Sequence, residues 1–475
     1  MAEAPAIERR GIDFVPPEER SARPRDVFWI WISTFANVFT IISGALMVAV
    51  GLSFWQAAGL IVAGNAAVLL IGVLSLAGPR AGTSSLTIAR APFGYRGNRL
   101  PALLAWLSFL GFEASDLVVI VFAALVLLGK LGIAETALVK SLVIVVAIAI
   151  QLPLPVYGYQ AILRAFRVLA IAFLAISLLM AVLLAPKVEP SAVHGTGGLV
   201  PWTLALALVL ANGGLGWPNA SDYTRYLPRA TPRRAIVRAV GLGSYVPIAG
   251  LQLMGAALAT VTPGASDVIH GLPQAFPDWF TVPYLLFAIV ALYAVNTVDL
   301  YSSGLTLQAA GAPLSRIAAT FVDMAICVPL VFVVVFSSDF GRVYNDFLVW
   351  LIVLSAPLCA VLIADYLLRG GVYDPVALLR VDGRARGAGW PALAALLLGM
   401  AVAALCVHTP DWVGPLAHAL GGADVSALAG ALVAGGGYAL LGGRRARAES
   451  AATRAAGRDG VADAADELAI EHVTV

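Results

Sequence analysis

Polar side chains come in bursts along this chain, and between the bursts run apolar stretches of helix-spanning length. A hydrocarbon core about 30 Å thick needs roughly 20 consecutive apolar residues per helix. Windows of that kind fall at 27–52, 56–78, 101–129, 137–157, 163–186, 200–221, 236–262, 281–309, 314–337, 344–368, 389–408 and 415–442. The pattern predicts an all-α polytopic membrane protein with about twelve transmembrane helices. Composition agrees: of 475 residues 60% are hydrophobic and 12% charged, and the mean hydropathy is +0.88. A soluble chain of this length carries far more charge, so most of this surface faces lipid.

The basic residues orient the spans. With an inside N-terminus and an even number of crossings, all but Lys130, Lys140, Lys187 and Arg342 of the 30 Lys and Arg fall on the cytoplasmic side. That asymmetry is what the positive-inside rule requires, and removing one span spoils it. Residues 1–25 are charged and contain proline, with no apolar core before a cleavage site, and read as a cytoplasmic leader. Residues 26–443 form the transmembrane domain, and 444–475 read as a cytoplasmic tail rich in Ala, Arg, Asp and Glu. The net charge of +2 is spread in short clusters and points to no nucleic-acid partner. Cys327, Cys359 and Cys406 are scattered within apolar runs, without metal or disulfide spacing. His194, His270, His408 and His418 fall in or beside external loops and read as solvated residues rather than ligands.

No connection is long enough for a catalytic domain; the longest internal one is "GPRAGTSSLTIARAPFGYRGNRL". Function therefore rests on polar residues inside the spans, which cost a few kcal/mol each and usually face a cavity. These are Asn37 in the first span, Glu113 and Asp116 in the third, Asn212 and Asn219 in the sixth, Asn296, Thr297 and Asp299 in the eighth, and Asp323 in the ninth. Asp222 and Asp365 sit at helix ends, where pairing with Arg225 or Arg369 is expected. Spans 1, 3, 6 and 8 are the first and third of two five-span halves. Inverted-repeat transporters place their site in that pattern, on broken helices facing each other at mid-membrane.

The stretch "ANGGLGWPNASDYTRYLP", residues 211–228, marks one such break. Gly213, Gly214 and Pro218 interrupt the sixth span, and a broken helix survives in lipid only where its freed backbone groups find partners. Trp217 adds a ring beside the break. The competing reading is that these glycines only permit close helix packing. Phe112 and Asp116, four apart, share one face of the third span. A ring beside an acceptor suits a flat heterocycle, stacked on its face and bound at its N–H edge. Glu113 shares that face loosely, giving the protein a proton to trade.

Four stretches resemble the nucleobase:cation symporters of the purine–cytosine permease group: "FWIWISTFANV" (28–38), "RAPFGYRGNRLPALL" (90–104), "ASDYTRYLP" (220–228) and "LSAPLCAVLIADYLLR" (354–369). The resemblance implies a leucine-transporter-like fold: a five-plus-five inverted repeat, about 26–186 and 200–369, then two extra helices at about 389–442. The first and sixth spans are unwound in that fold. In the hydantoin permease a tryptophan and a glutamine on the third span grip the solute; the matching positions here are Phe112 and Asp116. Replacement of the amide by an acid favours a solute offering several N–H donors or partial positive charge. Sodium-coupled relatives use hydroxyls of the eighth span, and in "ALYAVNTV" Ala294 and Val295 stand where Ser and Thr are expected. This leans toward proton coupling, with sodium left open through Asn296 or Thr297.

The expected function is a symporter, not an enzyme, importing a nucleobase or similar planar nitrogen heterocycle with a proton or sodium ion. No catalytic residue, metal or organic cofactor is expected, and a monomer suffices. Asn37, Phe112, Asp116, Asn212, Gly213, Gly214, Trp217 and Asn296 are the expected solute-binding residues; Glu113, Asp116, Asp299 and Thr297 are candidates for the coupling ion. The alternatives are a same-fold carrier of a vitamin-like ring, a thiamine precursor or a ureide such as allantoin, and, from other classes, a membrane enzyme or a channel. The spans hold no HExxH or GxSxG motif and no histidine away from their ends.

Overall fold

The computed structural model describes residues 7–458, apart from 263, 268, 338, 339, 381–386 and 410, and describes only the backbone of 340–350. The first residues of the expected leader, the expected tail beyond 458 and the side chain of Arg342 lie outside the described residues. Among the described residues the fold is helical, with one isolated backbone bridge between His408 and Val413. Nine helices among the described residues are long and apolar enough to cross a membrane, and the bent pair Pro24–Phe35 and Val38–Ala49 makes a tenth. Two shorter apolar helices, Leu199–Gly214 and Trp390–Cys406, stand at two further expected spans.

Local chemistry explains each interruption of the expected windows. The fourth and fifth windows separate at Gly158, whose φ of 87° suits only glycine. The last window divides at Gly421 and Gly422, both with positive φ, so the final helix begins at Ser426 and runs on to Ala455. The long connection after the second span is itself folded into short helices at Ala77–Ala81, Ser85–Ile88 and Arg90–Gly97.

Two helices are interrupted deep in the bundle. In the first span the two halves meet at 58°. Asn37 closes this gap: its Oδ1 accepts from the Thr40 amide at 3.2 Å, and its Nδ2 donates to the Thr34 carbonyl at 2.8 Å. The Thr40 hydroxyl donates to the Phe35 carbonyl at 2.9 Å. Backbone groups freed by the break are thus satisfied within the span, as an apolar surrounding demands.

In the sixth span, helix Leu199–Val209 ends in a single wide turn, Leu210–Gly214. The chain then runs through Trp217 and Pro218 to the short turn Ala220–Tyr223 and does not restart as a long helix. The expected window 200–221 is therefore helical only in its first two thirds. The glycines divide in purpose. A Cβ on Gly213 would lie 3.0 Å from Val68 Cγ1, and one on Gly214 2.7 Å from Ala67 Cβ, so both admit the neighbouring Asn65–Val68 segment. A Cβ on Gly216 would lie 2.2 Å from the Ala211 carbonyl, so Gly216 is what the turn itself requires. Close packing also joins Val38–Ala49 to Arg233–Leu258: a Cβ on Gly44 would sit 1.9 Å from the Gln252 carbonyl, and one on Gly255 1.8 Å from that of Ile41.

The segment before the first helix packs across one end of the bundle. The Glu8 carboxylate accepts from Arg225 at 3.3 Å, from the Tyr301 hydroxyl at 3.1 Å, from the Tyr226 hydroxyl, and from the Tyr159 amide at 2.6 Å. Burial holds the Tyr226 phenol well above its ordinary range, so it remains a donor to this carboxylate. Arg316 donates to the Glu8 carbonyl at 2.5 Å, and the Val15 amide to the Gly82 carbonyl at 2.8 Å. A segment that reads in the sequence as a cytoplasmic leader is in this way bound to five separate parts of the fold.

Candidate solute-binding site

A cavity of about 450 Å³ lies between the two interrupted helices, within the range of roughly 300–1,000 Å³ common for small-molecule sites. Its wall is mostly apolar and aromatic. Phe35 and Phe39 come from either side of the first break, Phe112 from helix Arg99–Lys130, and Trp217 from the sixth. Trp217 meets Phe35 edge-on with centroids 4.9 Å apart, and Trp31 stacks on Phe35 at 5.6 Å. Trp31 in turn meets Trp217 at 5.5 Å and Tyr223 at 5.9 Å. This cluster closes the end of the cavity toward the Glu8 network.

Two acids face the same space. Asp116 lies one helical turn beyond Phe112, and Asp299 comes from helix Thr281–Ala309. They are close enough to act on each other electrostatically. Asp116 Oδ2 is buried without a hydrogen-bond partner, and among the described residues no Lys or Arg lines the cavity. An unpaired carboxylate in an apolar wall is costly, so this pair awaits a donor, a proton or a cation.

Asn212 lines the cavity as well, and its Nδ2 donates to Ser43 Oγ at 3.0 Å. The Trp217 indole donates to the Asn212 carbonyl at 2.9 Å, replacing a helical hydrogen bond lost at the break. The far mouth is lined by His408, Thr409 and Asp424. The His408 amide donates to Asp424 Oδ2 at 3.0 Å, and its ring bonds the Gly422 carbonyl. His408, read from sequence as a solvated loop residue, is a half-buried part of the cavity mouth.

Of the residues expected to bind solute, Asn37, Phe112, Asp116, Asn212 and Trp217 lie on the cavity wall. Gly213, Gly214 and Asn296 do not. Asn296 is buried and donates to the Glu113 carbonyl at 3.3 Å. Of the candidates for the coupling ion, Asp116 and Asp299 face the cavity, whereas Glu113 and Thr297 point elsewhere. Glu113 Oε2 accepts from the Cys327 thiol at 3.4 Å, toward helix Arg316–Phe336, where the Trp106 indole also donates to Asp323 at 2.6 Å. The Thr297 hydroxyl donates to the Tyr293 carbonyl at 2.7 Å and accepts from Gln151 at 3.4 Å. One residue after Phe112 is 100° around a helix, which turns Glu113 out of the face that Phe112 and Asp116 share.

Sequence reasoning missed Asn65, Gln151 and Gln252, amides within apolar windows and thus subject to the same rule that singled out Asn212. Gln252 Nε2 donates to Ser43 Oγ at 3.0 Å, and Asn65 Nδ2 to Gln252 Oε1 at 2.6 Å. It also missed Phe35, which in sequence is one aromatic among several.

Two interrupted helices meeting at a polar-edged, aromatic cavity inside a bundle of membrane-spanning helices define a multi-pass membrane carrier. The chain belongs to the family of permeases for cytosine/purines, uracil, thiamine and allantoin, whose sequence profile matches residues 14–430. It is 26% identical over 438 residues to a putative purine-cytosine permease, YxlA, of Bacillus subtilis, covering 90% of this chain and 94% of that one. A purine-cytosine permease of Emericella nidulans, fcyB, is 25% identical over 232 residues, 44% of each chain. The fold is similar to that of Mhp1, a nucleobase-cation-symport-1 family transporter in a closed conformation with bromovinylhydantoin bound. The TM-score is 0.74 at 21% identity, with 93% and 96% of the two chains covered. A sodium-coupled sialic acid symporter shares the fold more distantly, with a TM-score of 0.56 at 11% identity. The relatives are permeases, so the chain is a transporter and not an enzyme.

Proposed function

We propose that this transporter is a secondary active symporter that imports a planar nitrogen heterocycle, a nucleobase such as cytosine or a purine, with a proton or sodium ion. The observation that carries this reading is the convergence of Phe112, Trp217, Asp116 and Asp299 on one cavity between the two helix breaks. The rings hold the faces of a flat solute, and the carboxylates take N–H groups along its edge. The N-terminal side, closed by Glu8, is the cytoplasmic one, in keeping with the basic residues gathered there.

A coupling proton fits Asp116 and Asp299 better than Glu113, because those two carboxylates line the cavity and Glu113 does not. On the eighth-span side a sodium ion finds no hydroxyl on Ala294 or Val295, and the Thr297 hydroxyl already donates to Tyr293 and accepts from Gln151. Uptake of labelled cytosine, adenine, uracil and allantoin in a host lacking its own carriers tests the proposal. Accumulation of at least one ring is expected. No accumulation of any, with the protein shown in the membrane, rejects the nucleobase reading.

A further inference from the structure

Where helices Phe340–Arg369 and Ser426–Ala455 end, some basic side chains are matched by a carboxylate and some are not. Arg369 bonds Asp365 at 2.8 Å and Glu449 at 2.8 Å, and Arg445 bonds Glu449 at 2.7 Å. Both acids are thereby occupied. Among the described residues, Arg80, Arg233 and Arg454 have no carboxylate partner.

The three unmatched arginines come from separate parts of the chain and gather at the turn after the tenth span. Arg233 Nη2 donates to the Gly370 carbonyl at 3.2 Å. Arg454 Nη2 lies 2.9 Å from where a Cβ on Gly370 would stand, and a φ of 64° keeps that position for glycine. Arg80 and Arg233 are both near enough to act electrostatically on Tyr366, whose hydroxyl is buried without a hydrogen-bond partner. Helix Arg233–Leu258 starts here with no side chain capping it, so its first amides add further donors. Like charges gathered around one turn repel one another, and an anion among them removes that cost.

Away from the arginines the same surface turns apolar. Arg234, Arg238, Leu242 and Val246 follow at intervals of four along helix Arg233–Leu258, and all are exposed. One outward stripe therefore passes from charge to hydrocarbon. A Cβ on Gly241 would lie 3.0 Å from Leu69 Cδ2, which sets the exposed Leu69 of the second span beside Leu242. Leu367, in the last turn of the tenth span, is exposed as well. A free phosphate matches only the arginines. A phospholipid matches both parts, with its phosphate at the guanidiniums and its chains on the leucines.

We propose that an anionic phospholipid occupies this groove, its phosphate held by Arg80, Arg233 and Arg454 and its acyl chains lying along Leu69, Leu242 and Leu367. Guanidinium suits the phosphate because its planar fork bonds two oxygens at once. A zwitterionic lipid offers the same phosphate but brings its own cation to the cluster, so the site prefers a headgroup of net negative charge. The lipid joins the second, seventh, tenth and last spans. Its site is separate from the solute cavity and independent of which solute or ion is carried.

The full chain in detergent, titrated with phosphatidylglycerol or with phosphatidylcholine of the same acyl chains, tests this by native mass spectrometry and thermal unfolding. Phosphatidylglycerol is expected to be retained at concentrations at least about tenfold lower, and to raise the unfolding midpoint further. Arg80→Gln/Arg233→Gln/Arg454→Gln should bring the two lipids within about twofold of each other. Arg454→Gln alone, at an exposed helix end, should cut the preference about fivefold, and it decides the matter if the triple variant does not fold. Lys130→Gln removes an exposed charge at the far end of helix Arg99–Lys130 and should leave the preference within about twofold. Equal retention of the two lipids by the wild-type protein overturns the proposal. So does a preference that the arginine variants keep, or that Lys130→Gln reduces as much as Arg454→Gln. Stabilisation by inorganic phosphate equal to that by phosphatidylglycerol overturns the lipid and leaves a site for a free anion.

Discussion

At the scale of single residues, the proposed function assigns the chemistry of the cavity to Asp116 and Asp299, which both line it. Neither has a basic partner on the wall, so each depends on the solute or on a coupling ion. Asp116→Asn and Asp299→Asn should each reduce concentrative uptake by at least about tenfold, since a hydrogen bond to a charged group contributes about 1.5–3 kcal/mol. Uptake assays in cells with matched expression check this. Phe112→Ala should raise KM by about threefold to tenfold through lost stacking, whereas Glu113→Gln, turned toward Cys327, should leave KM within about twofold. Phe112 and Asp116 were legible in the sequence because a four-residue spacing on one helix fixes a shared face. The Asn65–Gln252–Ser43–Asn212 chain was not, because its members lie on four different helices and meet only through packing.

The helix elements owe their arrangement to where glycine permits backbone contact and where it permits a turn. Gly250 and Gly255, on one helix, make a sharp comparison. A Cβ on Gly255 would strike the Ile41 carbonyl, whereas one on Gly250 meets nothing within 4 Å. Gly255→Ala should therefore destabilise the protein by about 1–3 kcal/mol. Gly250→Ala should be neutral or stabilise by up to about 1 kcal/mol. Thermal unfolding in detergent distinguishes them, and equal midpoints would remove the close crossing from the account. The sixth-span interruption was readable from Asn, Gly and Pro in an otherwise apolar run, whereas the first was expected only through the family resemblance. The division of labour among the sixth-span glycines was not, because it depends on which helix comes alongside.

For the molecule as a whole, the segment before the first helix ties distant parts of the chain together across one end of the bundle. Charge and proline make that segment read as a cytoplasmic leader, and nothing local in it shows that Glu8 meets Arg225, Tyr226, Tyr301 and the Tyr159 amide. Those partners come from distant parts of the chain, so only the assembled bundle creates the contact. Removing the carboxylate leaves a buried guanidinium and two phenols short of an acceptor. Glu8→Ala should therefore favour opening at that end. A cysteine replacing Ser302, beneath Tyr223 at 2.6 Å, should react severalfold faster with a water-soluble thiol reagent in the Glu8→Ala background. No change in that rate would show that the segment is not a closure.

The claim on which the rest depends is that solute crosses through the cavity between the two helix breaks, driven by an ion gradient. Purified protein in liposomes, given an imposed proton or sodium gradient one at a time and labelled cytosine, tests it most directly. Concentrative uptake under one of the two gradients, lost on dissipating that gradient and in the Asp116→Asn/Asp299→Asn double variant, is the predicted result. Uptake that neither gradient raises, or that the double variant retains in full, contradicts it.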